Sequence, residues 1–223
     1  MNTNKNLSKT IKIALLSAIS VVLMYFEIPM TPFPWLKIDL SDVPALMGGF
    51  AFGPVAATII VVLKNILHVL VKGTETALVG QLGNIIIGLT LVLPPAFMYS
   101  RNKTKKTAIL GMIIGFFTIQ IGGIIANKFI LIPLFGGSEI LNGFVPAVQD
   151  LTNDIVLFFN SSAEPIKLTG NGFLYYTLFG LIPINGVKSI LVSTITYLLY
   201  KKVSVAIFKV EPMKSSKKRE QAA

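Results

Sequence analysis

Cysteine is absent from the chain and histidine occurs once, as His68. The first absence excludes a disulfide framework and a thiolate metal site. The second excludes a zinc site built on several imidazoles. Charge is also scarce, at 13% of residues where a soluble domain carries about 25%, so few residues remain to face water. No G-x-x-x-x-G-K-[ST] loop occurs, and without one the chain has no cradle for nucleotide phosphates. Gly186-Val187-Lys188-Ser189 has the last two letters of that motif, but it sits in an apolar run and lacks the upstream glycine. A G-x-S-x-G elbow is missing as well, and one histidine leaves few possible triads. An enzyme and a self-powered pump are therefore both disfavoured.

What the chain has is apolar length. Of its 223 residues 53% are hydrophobic, the mean hydropathy is +0.72, and long apolar runs follow one another from residue 11 to 208. That pattern marks an all-α integral membrane protein of one domain. Six helices are expected, over roughly 10–28, 42–52, 54–72, 79–99, 107–132 and 173–200. Ser41 or Asp42 is placed to cap the second, and Gly53-Pro54 breaks it and starts the third. Residues 27–42, rich in proline, are expected as a loop. The segment 139–159 has the spacing of an amphipathic helix, lying on the membrane or dipping into it. The lysines before the first run imitate a signal peptide, but the run is long enough to span and no small-residue cleavage site follows. The division expected is a tail at 1–9, a membrane domain at 10–200 and a basic tail at 201–223.

The net charge of +10 is distributed unevenly. Fourteen of the 20 basic residues fall before the first run, in the loop 101–106, or after the last run. Eight of the ten acids fall in the three other connections. The positive-inside rule then places both termini and the 101–106 loop in the cytoplasm. Basic clusters divided in this way argue against nucleic acid as a partner.

Polar groups inside the spans are the informative ones, because an intramembrane lysine costs about 2.5–3.5 kcal/mol on insertion scales and normally faces a cavity or partner. Lys64 and His68 share a face of the third helix, Gln81 and Asn84 of the fourth, Asn185 and Lys188 of the sixth, and Asn127 lies in the fifth. For each amide, a reading as interhelical glue is equally open. Lys188, with no acid in any span to pair with, is read as a ligand group. His68 is read as a satisfied interior or interfacial histidine, and Trp35 as an interfacial anchor rather than a lid. Ala14-x-x-x-Ala18 and Gly111-x-x-x-Gly115 make flat faces that admit another helix. The glycine pair suits packing within the chain. For the alanine pair, packing within the chain and contact with a partner are equally open.

Asp39-Leu-Ser-Asp-Val-Pro-Ala-Leu-Met-Gly-Gly-Phe-Ala-Phe-Gly-Pro54, Leu63-Lys-Asn-Ile-Leu-His68, Gly80-Gln-Leu-Gly-Asn84, Ala126-Asn127 and Pro183-Ile-Asn185-Gly-Val-Lys188 resemble S components of energy-coupling factor (ECF) transporters, and within that group the riboflavin-binding type. The resemblance implies a six-helix subunit of a multi-pass bacterial cell membrane protein that takes riboflavin from outside. It implies, as partners, a transmembrane coupling subunit and two ATPases. It implies no catalytic cofactor. By the same resemblance Ala14 and Ala18 meet the coupling subunit, Asn185 and Lys188 contact the flavin, Asn127 matches a helix-5 asparagine, and the loop after helix 1 offers Trp35, Leu40 and Asp42 as cover. Such cargo is flat, neutral and polycyclic, with an edge to which an asparagine can make two hydrogen bonds and a ring carbonyl to which a lysine can donate. Ile184 stands where the family pattern has phenylalanine, and the connection before the sixth helix is longer than the pattern. Another vitamin or a precursor as cargo, acceptance of FMN, a stand-alone secondary transporter and a scaffold without transport remain alternatives.

Overall fold

The computed structural model describes residues 3–30, 33–74, 78–137, 141, 143, 145–159, 164 and 172–203. Four long helices are continuous or nearly so: α1 (Thr3–Tyr25), α3 (Pro54–Lys72), α4 (Val79–Arg101) and α5 (Lys105–Phe135). A fifth, α7, joins Gly172–Tyr175, a π-helical segment Tyr176–Leu181 and Ile182–Val203. These five are long and apolar enough to cross a membrane. The expected second span, α2 (Asp42–Phe52), has 11 residues. At 1.5 Å per residue it covers about 16 Å, roughly half of the ~30 Å hydrocarbon core.

Gly53 enters α3 with φ +91° and its N–H closes the end of α2 on Gly49, so a single residue turns the chain between the two helices. Pro54 follows at the first helical position, where its missing N–H costs nothing. Ser41 holds the N-cap position of α2 but makes no cap; its hydroxyl accepts instead from Lys64.

Residues 27–42, expected as a loop, contain an antiparallel hairpin: β1 (Ile28–Met30) and β2 (Phe33–Ile38), with Ile28 opposite Ile38 and Pro29 opposite Lys37. A short two-stranded ribbon is marginal alone. Here Phe33, 1% exposed, anchors it to α7, its ring meeting Tyr176 edge-on at 4.9 Å. Gly180 makes the approach possible, since a Cβ there would lie 2.7 Å from the Phe33 ring. The segment 145–159 forms α6 (Val145–Phe159), packed through Val148 against the same cluster.

Two helices widen where proline interrupts them. A π segment, Asn127–Leu131, precedes Pro133 in α5, and Tyr176–Leu181 precedes Pro183 in α7. Proline supplies no N–H and its ring crowds the carbonyl four residues back, so the preceding turn relaxes to wider bonding.

One end of the bundle carries the basic 101–105 connection, and the other carries the hairpin. Toward the basic end the packing is tight. Phe50, Tyr99 and Tyr200 stack within 4.8–5.9 Å of one another. A Cβ at Gly111 would lie 2.6 Å from the Pro95 backbone, and one at Gly115 2.7 Å from the Leu91 carbonyl, so this glycine pair serves α4–α5 packing as expected. Ala14 and Ala18 are exposed on α1, facing away from the core.

Candidate ligand cavity

At the hairpin end the helices part around a cavity of about 1020 Å³, counting the portion open to solvent. Its apolar wall includes Met24, Leu36, Ile87, Leu131, Leu181 and Ile184, and its polar groups include His68, Gln81, Asn84, Asn127, Asn185 and Lys188.

Beneath the cavity lies a closed set of charges. Lys188 Nζ is 2.9 Å from Asp39 Oδ2 and 3.0 Å from Asp42 Oδ2. Lys64 donates to Asp42 Oδ1 and to the Ser41 hydroxyl. Asp39 Oδ1 also accepts from the Ser41 backbone N–H at 2.7 Å. Two acids and two lysines sum to zero, and all four residues are at most 4% exposed.

This corrects the expectation that Lys188 has no acid to pair with. The acids come from the connection rather than from a span. Because α2 covers only about half the membrane thickness, the chain leaving the hairpin must descend to meet it. Asp39 and Asp42 are thereby carried to the depth of Lys64 and Lys188. Lys188 still lines the cavity. Its Nζ donates to Asp39 Oδ2, whereas Asp42 Oδ2 at 3.0 Å is an ion-pair contact that makes no hydrogen bond among the described residues. Lys64 and Asp42 are spent in the ion cluster and are not part of the cavity wall; Leu40, half-buried, packs on the basic-end core instead. The side chain of Trp35 lies outside the described residues.

One helical turn nearer the hairpin the situation reverses. His68 follows Lys64 by four residues on α3. Asn185 precedes Lys188 by three on α7. Asn84 precedes by four Gly88, whose Cβ position is 3.0 Å from Asp42 Oδ1, on α4. Three helices thus present His68, Asn84 and Asn185 at one depth. Both His68 ring nitrogens, Asn84 Oδ1 and Asn185 Nδ2 are shielded from water and have no hydrogen-bond partner among the described residues. Asn84 Nδ2 approaches Met24 Sδ at 3.9 Å. Gly123 makes room for Asn185: a Cβ there would sit 2.7 Å from its Nδ2. Leaving such a group unpaired costs roughly 1–3 kcal/mol, and the described residues supply no partner for these atoms. His68 is interior, as expected, but neither of its ring nitrogens has a hydrogen-bond partner among the described residues.

The other amides are partly committed. Asn127 Nδ2 donates to the Gly123 carbonyl at 2.8 Å, and its Oδ1 accepts from Tyr176 at 2.6 Å. Gln81 Oε1 accepts from Thr74 at 3.1 Å. At the mouth Glu27 holds Lys37 and Lys72, both at 2.7 Å, tying β2 to the end of α3. Sequence reasoning missed this trio, since nothing local signals a contact spanning 45 residues.

Helices that span, and a half-polar compartment reached from one end, define a multi-pass membrane protein built around a small-molecule site. The family described as ECF transporter, substrate-specific component, matches residues 8–200. The chain belongs to that family. It is 34% identical over 206 residues to the riboflavin transporter RibU of Staphylococcus aureus (strain TCH60), covering 92% of this chain and 93% of that one. It is 26% identical over 197 residues to the riboflavin transporter FmnP of Bacillus subtilis (strain 168), covering 87% and 91%. A solved structure of the S component of a bacterial ECF transporter superposes with a TM-score of 0.65 at 29% identity, covering 88% of this chain and 95% of that one. These relatives are named as transporters, not as enzymes.

Proposed function

We propose that the chain captures riboflavin from outside a bacterial cell and releases it inward, driven by ATP hydrolysis on partner subunits. The observation that carries this reading is the layer of unpartnered polar groups above a neutralised ion cluster. It suits a guest that is uncharged, hydrogen-bonding and flat enough for the apolar walls of α5 and α7. The names of the relatives supply the flavin. Asn185 and Asn127 would meet the ring edge, and Lys188 a ring carbonyl. The chain carries no G-x-x-x-x-G-K-[ST] loop, which supports ATP hydrolysis on other chains. Sidedness rests on the positive-inside rule: the basic end faces the cytoplasm, so the mouth faces out. Exposed Ala14 and Ala18 offer a flat contact for a coupling subunit.

The test is to purify the protein from cells grown with riboflavin and identify what accompanies it. A yellow preparation with flavin absorbance, and riboflavin by mass in near-equimolar amount, is the expected result. A colourless preparation that carries another small molecule would overturn the cargo, and one that takes up no flavin on incubation would overturn the reading altogether.

A further inference from the structure

Both sides of the cavity carry polar and apolar groups, but they differ in which polar groups are free. On the α5 and α7 side stand Leu131, Leu181 and Ile184, with the amides of Asn127 and Asn185 and the ammonium of Lys188. The α3 and α4 side carries His68 and Asn84, and the mouth above them is rimmed by Glu27, Lys37 and Lys72. A flavin has two parts to recognise: a flat ring system and a chain of hydroxyls. His68 is 4% exposed, lines the cavity, and has neither ring nitrogen in a hydrogen bond among the described residues. A neutral imidazole offers one donor and one acceptor on different atoms of a rigid ring. A hydroxyl is also a donor and an acceptor, so it satisfies either nitrogen, and neighbouring hydroxyls on one chain can satisfy both. Asn84 Oδ1, at the same depth on α4 and equally unpartnered, adds an acceptor for the next hydroxyl.

We infer that His68, assisted by Asn84, contacts the hydroxylated chain of the cargo and makes the site prefer a flavin that carries that chain. The inference rests on the proposed riboflavin site and assigns its α3 wall. The ring edge is left to Asn185 and Asn127 across the cavity, so the two halves of the ligand are recognised by separate side chains.

The test compares two ligands and three proteins. Riboflavin and lumiflavin share the ring system, but lumiflavin has a methyl group in place of the hydroxylated chain. Each is titrated into the purified wild type, His68→Leu and His68→Gln. The wild type is expected to favour riboflavin. His68→Leu is expected to lose about tenfold in riboflavin affinity, equivalent to ~1.4 kcal/mol, while lumiflavin affinity stays within about twofold. His68→Gln, which keeps a donor and an acceptor, is expected to recover part of the loss. Retained lumiflavin binding doubles as the check that the variant is folded. Equal losses for both ligands, or no loss for either, would overturn the inference. A wild type that binds riboflavin with an unaltered His68→Leu variant sinks this assignment alone. A wild type that binds no riboflavin sinks the functional reading beneath it.

Discussion

Two layers of this molecule, one helical turn apart, hold similar side chains in opposite conditions. In the lower layer Asp39, Asp42, Lys64 and Lys188 neutralise one another, and Ser41 completes the set. In the upper layer His68, Asn84 and Asn185 hold donors and acceptors with no partner among the described residues. The first condition is what folding demands, since an uncompensated buried charge is prohibitively costly. The second is a cost that folding does not require, and a bound guest would remove it. Stability should therefore reside in the lower layer and affinity in the upper one.

The sharpest way to break that contrast is Asp42→Ala. It removes the carboxylate shared by both lysines. Breaking a buried pair this way costs about 3–5 kcal/mol, so thermal unfolding in detergent should fall by roughly 10 °C. A shift too small to measure would mean that the cluster is hydrated and not structural. Asn185→Ala should do the reverse, leaving the melting temperature nearly unchanged while weakening riboflavin binding by roughly 5- to 150-fold, corresponding to the ~1–3 kcal/mol of one hydrogen-bonded group. Gly123→Ala probes the same amide indirectly. Its Cβ would intrude to 2.7 Å from Asn185 Nδ2 and 3.1 Å from Ile87, so affinity should drop by about fivefold, or ~1 kcal/mol, with little change in expression or melting.

The smallest effect belongs to the mouth. Burial raises the pKa of Glu27, but hydrogen bonds from Lys37 and Lys72 lower it further, leaving it below its ordinary 4.5. A depressed carboxylate contributes stability above its unfolded value and loses it as pH falls through the folded one. Both lysines are 30% exposed, so solvent screening limits the pair to about 0.5 kcal/mol. Glu27→Gln should cost that much near pH 7, and the difference from wild type should begin to shrink as pH falls below 4.5 and disappear only below the lower folded value.

The long helices were legible because each is an apolar run closed by glycine, proline or basic residues, and α2 and α3 fall on the expected limits 42–52 and 54–72. The hairpin was not, because Pro29, Pro32 and Pro34 mask its strand pattern. Its stability comes from Phe33 on Tyr176, a contact between residues far apart in sequence. Among site candidates, Asn84, Gln81, Asn127, Asn185 and Lys188 do line one cavity. The sequence was misleading about charge. Acids in a connection read as external, and only the shortness of α2 could have hinted that Asp39 and Asp42 descend to Lys188. The unpartnered state of His68 was not legible for a related reason: no sequence pattern reveals whether a buried ring nitrogen has a partner.

The account stands on the upper layer being completed by a flavin, and equilibrium titration of purified protein with riboflavin, by quenching of flavin fluorescence, tests it most directly. Saturation at one ligand per chain with a Kd below about 1 μM, equivalent to ~8 kcal/mol, and marked weakening in Asn185→Ala are the results expected. Binding weaker than that in the wild type, or an affinity unmoved by Asn185→Ala, would contradict it.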